Sequence, residues 1–181
     1  MSATEALRQE HQVILKMLDR FEAALSNARK TCSVTAAAFA PFLDFFRGFA
    51  DRCHHGKEED RLFPCLNRCG LPSESGPIAV MLEEHRIGRQ HVRTMRETLD
   101  AAKAGQGDAI KAFLAHGDAF LELLRGHIGK EDNVLFNIAD SVVQGRTLDE
   151  LNAAYQQVEA QPEFVETYAR CRAIADAMVH G

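Results

Sequence analysis

The sequence predicts an all-α protein: an antiparallel up-down-up-down four-helix bundle with two additional C-terminal helices. Three observations predict it. Apolar residues recur three or four apart through four long stretches. Only short breaks separate those stretches, so consecutive helices lie side by side and antiparallel. No stretch alternates apolar with polar residues as a half-buried strand does.

The first helix is expected over residues 4 to about 30, with Leu7, Ile14, Leu18, Phe21 and Leu25 on one face, and residues 31–35 break it. The second is expected to begin near Pro41, a position tolerated in a first turn, and to run to about Arg68, before Gly70. GLPSESGP, residues 70–77, is the clearest loop. A third helix follows from about Ile78 to Lys103. AGQGD (104–108) is a turn, with Asp108 placed to cap a fourth helix reaching about Val143. At 1.5 Å per residue these helices are roughly 40 to 50 Å long. Residues 147–160 and 163–180 read as two shorter helices parted by Gln161 and Pro162. The bundle is thus assigned to residues 1–145, and 146–181 to an extension that packs on it or mediates association, a homodimer being one outcome.

Lys plus Arg number 21 against 26 Asp plus Glu, a formal net charge of -5, which argues against a charge-driven grip on nucleic acid. No apolar run approaches the ~20 residues of a membrane span. The opening MSATEALRQEH is charged where an export signal is apolar. Five cysteines, an odd number, read as reduced thiols rather than a disulfide framework. The expectation is a cytoplasmic domain with neither a nucleic-acid nor a membrane partner.

The chain carries an internal duplication. HHGKEEDRLF (54–63) and HIGKEDNVLF (127–136) match at an offset of 73 in His, Gly, Lys, Glu, Leu and Phe. EHQV (10–13) and EHRI (84–87) match at an offset of 74. The order EH, HxGKE, EH, HxGKE describes two equivalent helix pairs, each presenting one His and one His-x-x-x-Glu. The register also chooses within CHHGKEED: His54 and Glu58, not His55 and Glu59, match His127 and Glu131.

Each chosen residue falls on the apolar stripe of its helix. His11 lies with Leu7, Ile14 and Leu18; His54 and Glu58 with Phe46, Ala50, Leu62 and Cys65; His85 with Ile78, Leu82 and Val92; His127 and Glu131 with Leu124, Leu135 and Ile138. A lone histidine on such a stripe is ordinarily a hydrogen-bonded core residue. Four imidazoles and two carboxylates converging in a dry interior are costly unless paired, and a cation removes that cost. Mixed imidazole and carboxylate donors suit iron, manganese or zinc. Two carboxylates related by the repeat can each bridge a pair of ions and leave coordination positions open.

The pattern resembles that of the hemerythrin-like (HHE cation-binding) domains: a His, then His-x-x-x-Glu, then one or two His, then His-x-x-x-Glu. HHGKEEDRLFP is similar to that family's second-helix signature and HIGKEDNVLF to its fourth, and the resemblance spans about residues 4–143. It implies an antiparallel bundle holding a non-haem di-iron centre, two iron ions with an oxo or hydroxo bridge, at His11, His54, Glu58, His85, His127 and Glu131. One departure matters. Oxygen-carrying hemerythrins have a further His one turn after the third-helix ligand, and here that position is Arg89. His91 points about 240° around the helix from His85 and does not replace it. The expectation is therefore four histidines rather than five, with more open coordination at one metal. Arg89 is either a cation beside a bound anion or a surface side chain passing the helix edge.

Other constellations were weaker. Cys53, Cys65 and Cys69 with His54 or His55 suggest zinc, but Cys53 and Cys65 stand about 18 Å apart along a helix. A ferritin-like site needs Glu-x-x-His, and this chain has His-x-x-x-Glu. His116, on the inner side of the fourth helix, reads as a core residue or one behind the ligands, and AFAPFLDFF as core packing. Two functional classes remain: a protein that binds or senses oxygen or nitric oxide, or handles iron, and an enzyme that decomposes hydrogen peroxide. In the second, Glu59, Glu84 or Asp132 assists proton delivery, unless each is a solvated surface charge.

Overall fold

A computed structural model describes residues 2–180, and among these every regular element is a helix. The helices are α1 (Glu5–Thr31), α2 (residues 36–68), α3 (Gly76–Lys103), α4 (residues 107–142), α5 (Gly145–Glu159) and α6 (Pro162–His180). The first four form the antiparallel up-down-up-down bundle. None is long and apolar enough to cross a membrane.

Two helix starts differ from expectation. Thr35 caps α2, its side-chain oxygen accepting the Ala38 N–H at 3.2 Å. The helix therefore opens at Ala36, and Pro41 lies inside it, where its missing N–H forfeits one intrahelical bond. Asp108 does not cap α4: Gln106 holds the N-cap position without a side-chain bond, and Asp108 sits within the first turn. A carboxylate there still suits the positive end of the helix dipole.

α2 and α4 are not uniform. Phe46–His55 and Glu58–Leu62 in α2, and Glu131–Leu135 in α4, are π-helical, with backbone bonds reaching one residue further than in an α-helix. The two shorter π segments begin at Glu58 and Glu131, so they repeat at the offset of 73 found in the sequence. Each turns the inward stripe by one residue. Beyond Glu131 the buried side chains are Leu135, Phe136 and Ala139, not the Ile138 that α-helical spacing selects.

A polar layer divides the core into two apolar clusters. On one side Phe21, Phe39, Phe42, Phe46, Phe113 and Phe120 pack with Leu18, Leu25 and Leu124. Phe39 meets Phe113 edge-on at 4.8 Å, Phe46 meets Phe120 tilted at 4.8 Å, and Phe42 stacks on Phe46. On the other side Leu7, Leu62, Leu66, Ile78, Met81 and Phe136 pack together. α5 closes this second cluster with Leu151 and Tyr155, and the Tyr155 hydroxyl donates to the Ala3 carbonyl at 3.3 Å. α6 lies along α1 and α2, close enough that a Cβ on Gly48 would come 2.5 Å from the Cys171 sulfur. The extension thus covers one flank of the bundle.

Truncating Phe39, fully surrounded by Phe21 and Phe113, should cost about 3–5 kcal/mol by leaving a cavity. Urea denaturation of Phe39→Ala checks this, with metal stoichiometry expected to be unchanged because the polar layer is remote.

Candidate metal centre

His11, His54, Glu58, His85, His127 and Glu131 all converge between the two apolar clusters, each at most 2% exposed. They form two donor groups. His11, His54, Glu58 and Glu131 make one; His55, Glu58, His85 and His127 make the other. Within each group the donor atoms lie within 4.8 Å of one another. Glu58 belongs to both, its two oxygens 3.3 Å from His54 Nε2 and 3.5 Å from His85 Nε2. Glu131 likewise spans the layer, one oxygen 3.2 Å from His11 Nε2 and 3.3 Å from His127 Nε2.

His55 corrects the sequence reading. It fails the repeat, whose counterpart is Ile128, yet it is 7% exposed and joins the second group. His54 and His55 close the π segment Phe46–His55, and both are buried there. His55 stacks on His85 with ring centroids 3.8 Å apart. The site therefore has five histidines, the fifth supplied from α2, where Arg89 leaves α3 without one.

The outer nitrogens explain the EH pairs. His11 Nδ1 donates to Asp132 at 2.8 Å, His54 Nδ1 to Glu10 at 2.9 Å, His85 Nδ1 to Glu59 at 2.6 Å and His127 Nδ1 to Glu84 at 3.0 Å. A carboxylate only accepts, so Nδ1 carries the proton and each Nε2 turns a lone pair to the centre. The four bonds join α1 to α2, α2 to α3, α3 to α4 and α4 to α1. Glu59, Glu84 and Asp132 are thus neither free proton carriers nor solvated charges; they hold the imidazoles. The signal was present in the sequence, since the glutamate before each of His11 and His85 is part of the repeat.

A cation stands behind each of these carboxylates. Lys57 Nζ donates to Glu10 at 2.6 Å, and its repeat partner Lys130 donates to Glu84. Arg89 donates to Glu59 at 2.7 Å and to Asp51 at 2.6 Å, and Arg8 lies 3.5 Å from Asp132. Arg89 is accordingly a brace for the bond that holds His85. His116 does not reach the core: it meets His91 at 2.9 Å, across α3 and α4. Cys53 and Cys65 are buried free thiols and Cys69 is half-buried, and none joins a donor group among the described residues. Burial, with Cys171 nearby, pushes the Cys53 thiol up to about 12, which keeps it protonated.

The centre is unbalanced as bare protein. His11 Nε2, His54 Nε2 and all four oxygens of Glu58 and Glu131 are buried without a hydrogen-bond partner, as are both ring nitrogens of His55. His85 Nε2 and His127 Nε2 face each other at 3.0 Å, with no carboxylate between them. Burial and the neighbouring Glu131 push the Glu58 carboxyl well above its usual range. Burial acts on Glu131 in the same direction, but His127 and His11 outweigh it and hold that carboxyl low. Burial also draws His54 down to about 4, despite its bond to Glu10. Imidazole nitrogens aimed at carboxylate oxygens about 3 Å away are what a metal ion with ligands at ~2.0–2.2 Å gathers around itself. The residues present fit a metal.

Fold and site together define a metal-binding helical-bundle domain. The family model described as the hemerythrin HHE cation binding domain matches residues 2–139. The chain belongs to that family. Comparison with curated proteins and with solved structures finds no significant match in either.

Glu84→Gln keeps the shape but weakens the acceptor for His127. Metal affinity should fall about 10–100-fold, measured by competition with a chelator, with the circular dichroism spectrum unchanged.

Proposed function

We propose that the protein is a non-haem di-iron protein that binds a small diatomic ligand, oxygen or nitric oxide. The observation that carries this reading is the sharing of Glu58 between two buried donor groups, with Glu131 spanning the same gap. One ion does not need two groups; two ions bridged by carboxylates do. His11 and His54 would hold one iron, His55, His85 and His127 the other, and Glu58 and Glu131 both. Bound iron supplies a redox-active Lewis acid at which such a ligand is captured. The protein's own part is to keep each Nε2 deprotonated and aimed, through the four outer carboxylates, and to exclude bulk water with the apolar clusters above and below.

A second reading, decomposition of hydrogen peroxide, draws support from the cavity of about 400 Å³ that opens on His55, His85 and His127 and gives a small polar oxidant access to that side.

Elemental analysis after anaerobic loading with ferrous iron and desalting tests the di-iron reading. Two irons per chain are expected, falling sharply in Glu58→Ala, and His55→Ala should release the ion of the three-histidine side more readily than the other. No retained iron, or a single zinc dependent on Cys65 and Cys69, overturns it. Stripping the metal should lower the thermal midpoint, since a ligand bound only by the folded state stabilises that state. Rapid peroxide loss by the iron-loaded protein, abolished in His54→Ala, would favour the enzyme instead.

A further inference from the structure

We propose that the cavity enclosed by α2, α3 and α4 binds a small organic anion, an apolar body carrying one carboxylate. This goes beyond the di-iron reading and does not depend on it.

The cavity holds about 400 Å³, within the ~300–1,000 Å³ of small-molecule sites. That is far more than a diatomic ligand needs, a liquid water molecule taking about 30 Å³. Its walls are Phe46, Ala50, Val92, Phe120, Leu123 and Leu124. Gly88 also lines it, and a Cβ built there meets only Leu123 and Phe120 side-chain atoms at 3.7 Å, so the missing side chain leaves usable space.

The two ends differ in charge. At the inner end stand His55, His85 and His127, with Asp51, Glu84 and Arg89 beside them, Arg89 being already paired with Asp51 and Glu59. Asp51 is engaged by Arg89, and Glu84 by His127 and Lys130. An anionic head there would face further carboxylates. The outer end, about two to three turns along α3 from His85, is lined by Arg93 and Arg96 of α3 and Arg47 of α2, against the exposed Glu97. Arg96 reaches Asp44 at 2.5 Å through one terminal nitrogen, while its Nε is buried without an acceptor. Arg47 and Arg93 form no ion pair among the described residues, so positive charge at this end is in excess. Guanidinium groups take carboxylates through paired, charge-assisted hydrogen bonds. The geometry thus seats the carboxylate at Arg93 and Arg96 and runs the apolar body along Val92 and Phe120 toward His55.

Isothermal titration of the iron-loaded protein with octanoate, octanol and acetate tests this. Octanoate should bind, and octanol and acetate at least about 10-fold more weakly, the first lacking the charge and the second the apolar body. Arg93→Ala with Arg96→Ala should weaken octanoate about 10-fold or more without changing iron content or helicity. Gly88→Leu should abolish binding by filling the space. Metal-free protein should bind octanoate as the loaded protein does. Absent octanoate binding, equal affinity for octanol, insensitivity to both sets of variants, or binding only when iron is present would each overturn the assignment. Failure of iron loading would overturn the di-iron reading alone.

Discussion

Four imidazole–carboxylate bonds, one between each neighbouring pair of bundle helices, govern this structure. Each buries an imidazole against a carboxylate that is itself mostly covered, which is tolerable only when geometry is good and the remaining lone pairs are satisfied. The outer nitrogen of every pair is satisfied by its carboxylate, and that carboxylate by Lys57, Arg89, Lys130 or Arg8. The inner nitrogens and the Glu58 and Glu131 oxygens are not satisfied by protein. The bundle is therefore a frame whose polar layer is complete only around cations. Because the ring closes from α4 back to α1, no helix can slide along its axis without breaking two of these bonds.

The C-terminal helices break the twofold symmetry of that frame. Lys57 and Lys130 are equivalent in the repeat and each holds the glutamate of an EH pair. Lys130 stays half-exposed, its side chain 47% accessible, whereas α5 brings Glu159 to within 2.8 Å of Lys57 and buries it to 1%. Burial would lower the Lys57 pKa, but Glu10 and Glu159 outweigh it and hold the ammonium above its ordinary value. Phe164 of α6 lies 5.7 Å from the same ammonium. The His54 side is thus shielded by the extension, while the opposite side, at His55, His85 and His127, opens to the cavity. One half of a duplicated site has become its back and the other its front.

The sequence by itself determined the helical class, the bundle and the six residues His11, His54, Glu58, His85, His127 and Glu131 that meet at its centre. It could do so because helical period and an internal repeat are properties of the chain alone: apolar spacing says which way a side chain points, and a repeat says which polar residues share a role. Even the carboxylates behind the histidines were written there, in the EH pairs and in Glu59 and Asp132, although nothing local distinguishes an outward glutamate that grips a neighbouring helix from one that meets water. Tertiary structure alone decided the rest. His55 enters at the end of a π segment that breaks the α-helical period of α2, and the repeat, which pairs it with Ile128, gave no sign of it. Arg89, Lys57 and Glu159 acquire partners only when α2, α3 and α5 come together, since ion pairs between distant segments leave no periodic trace. The cavity exists because Gly88 and Ala50 leave room between helices, and an empty space has no residue of its own to announce it.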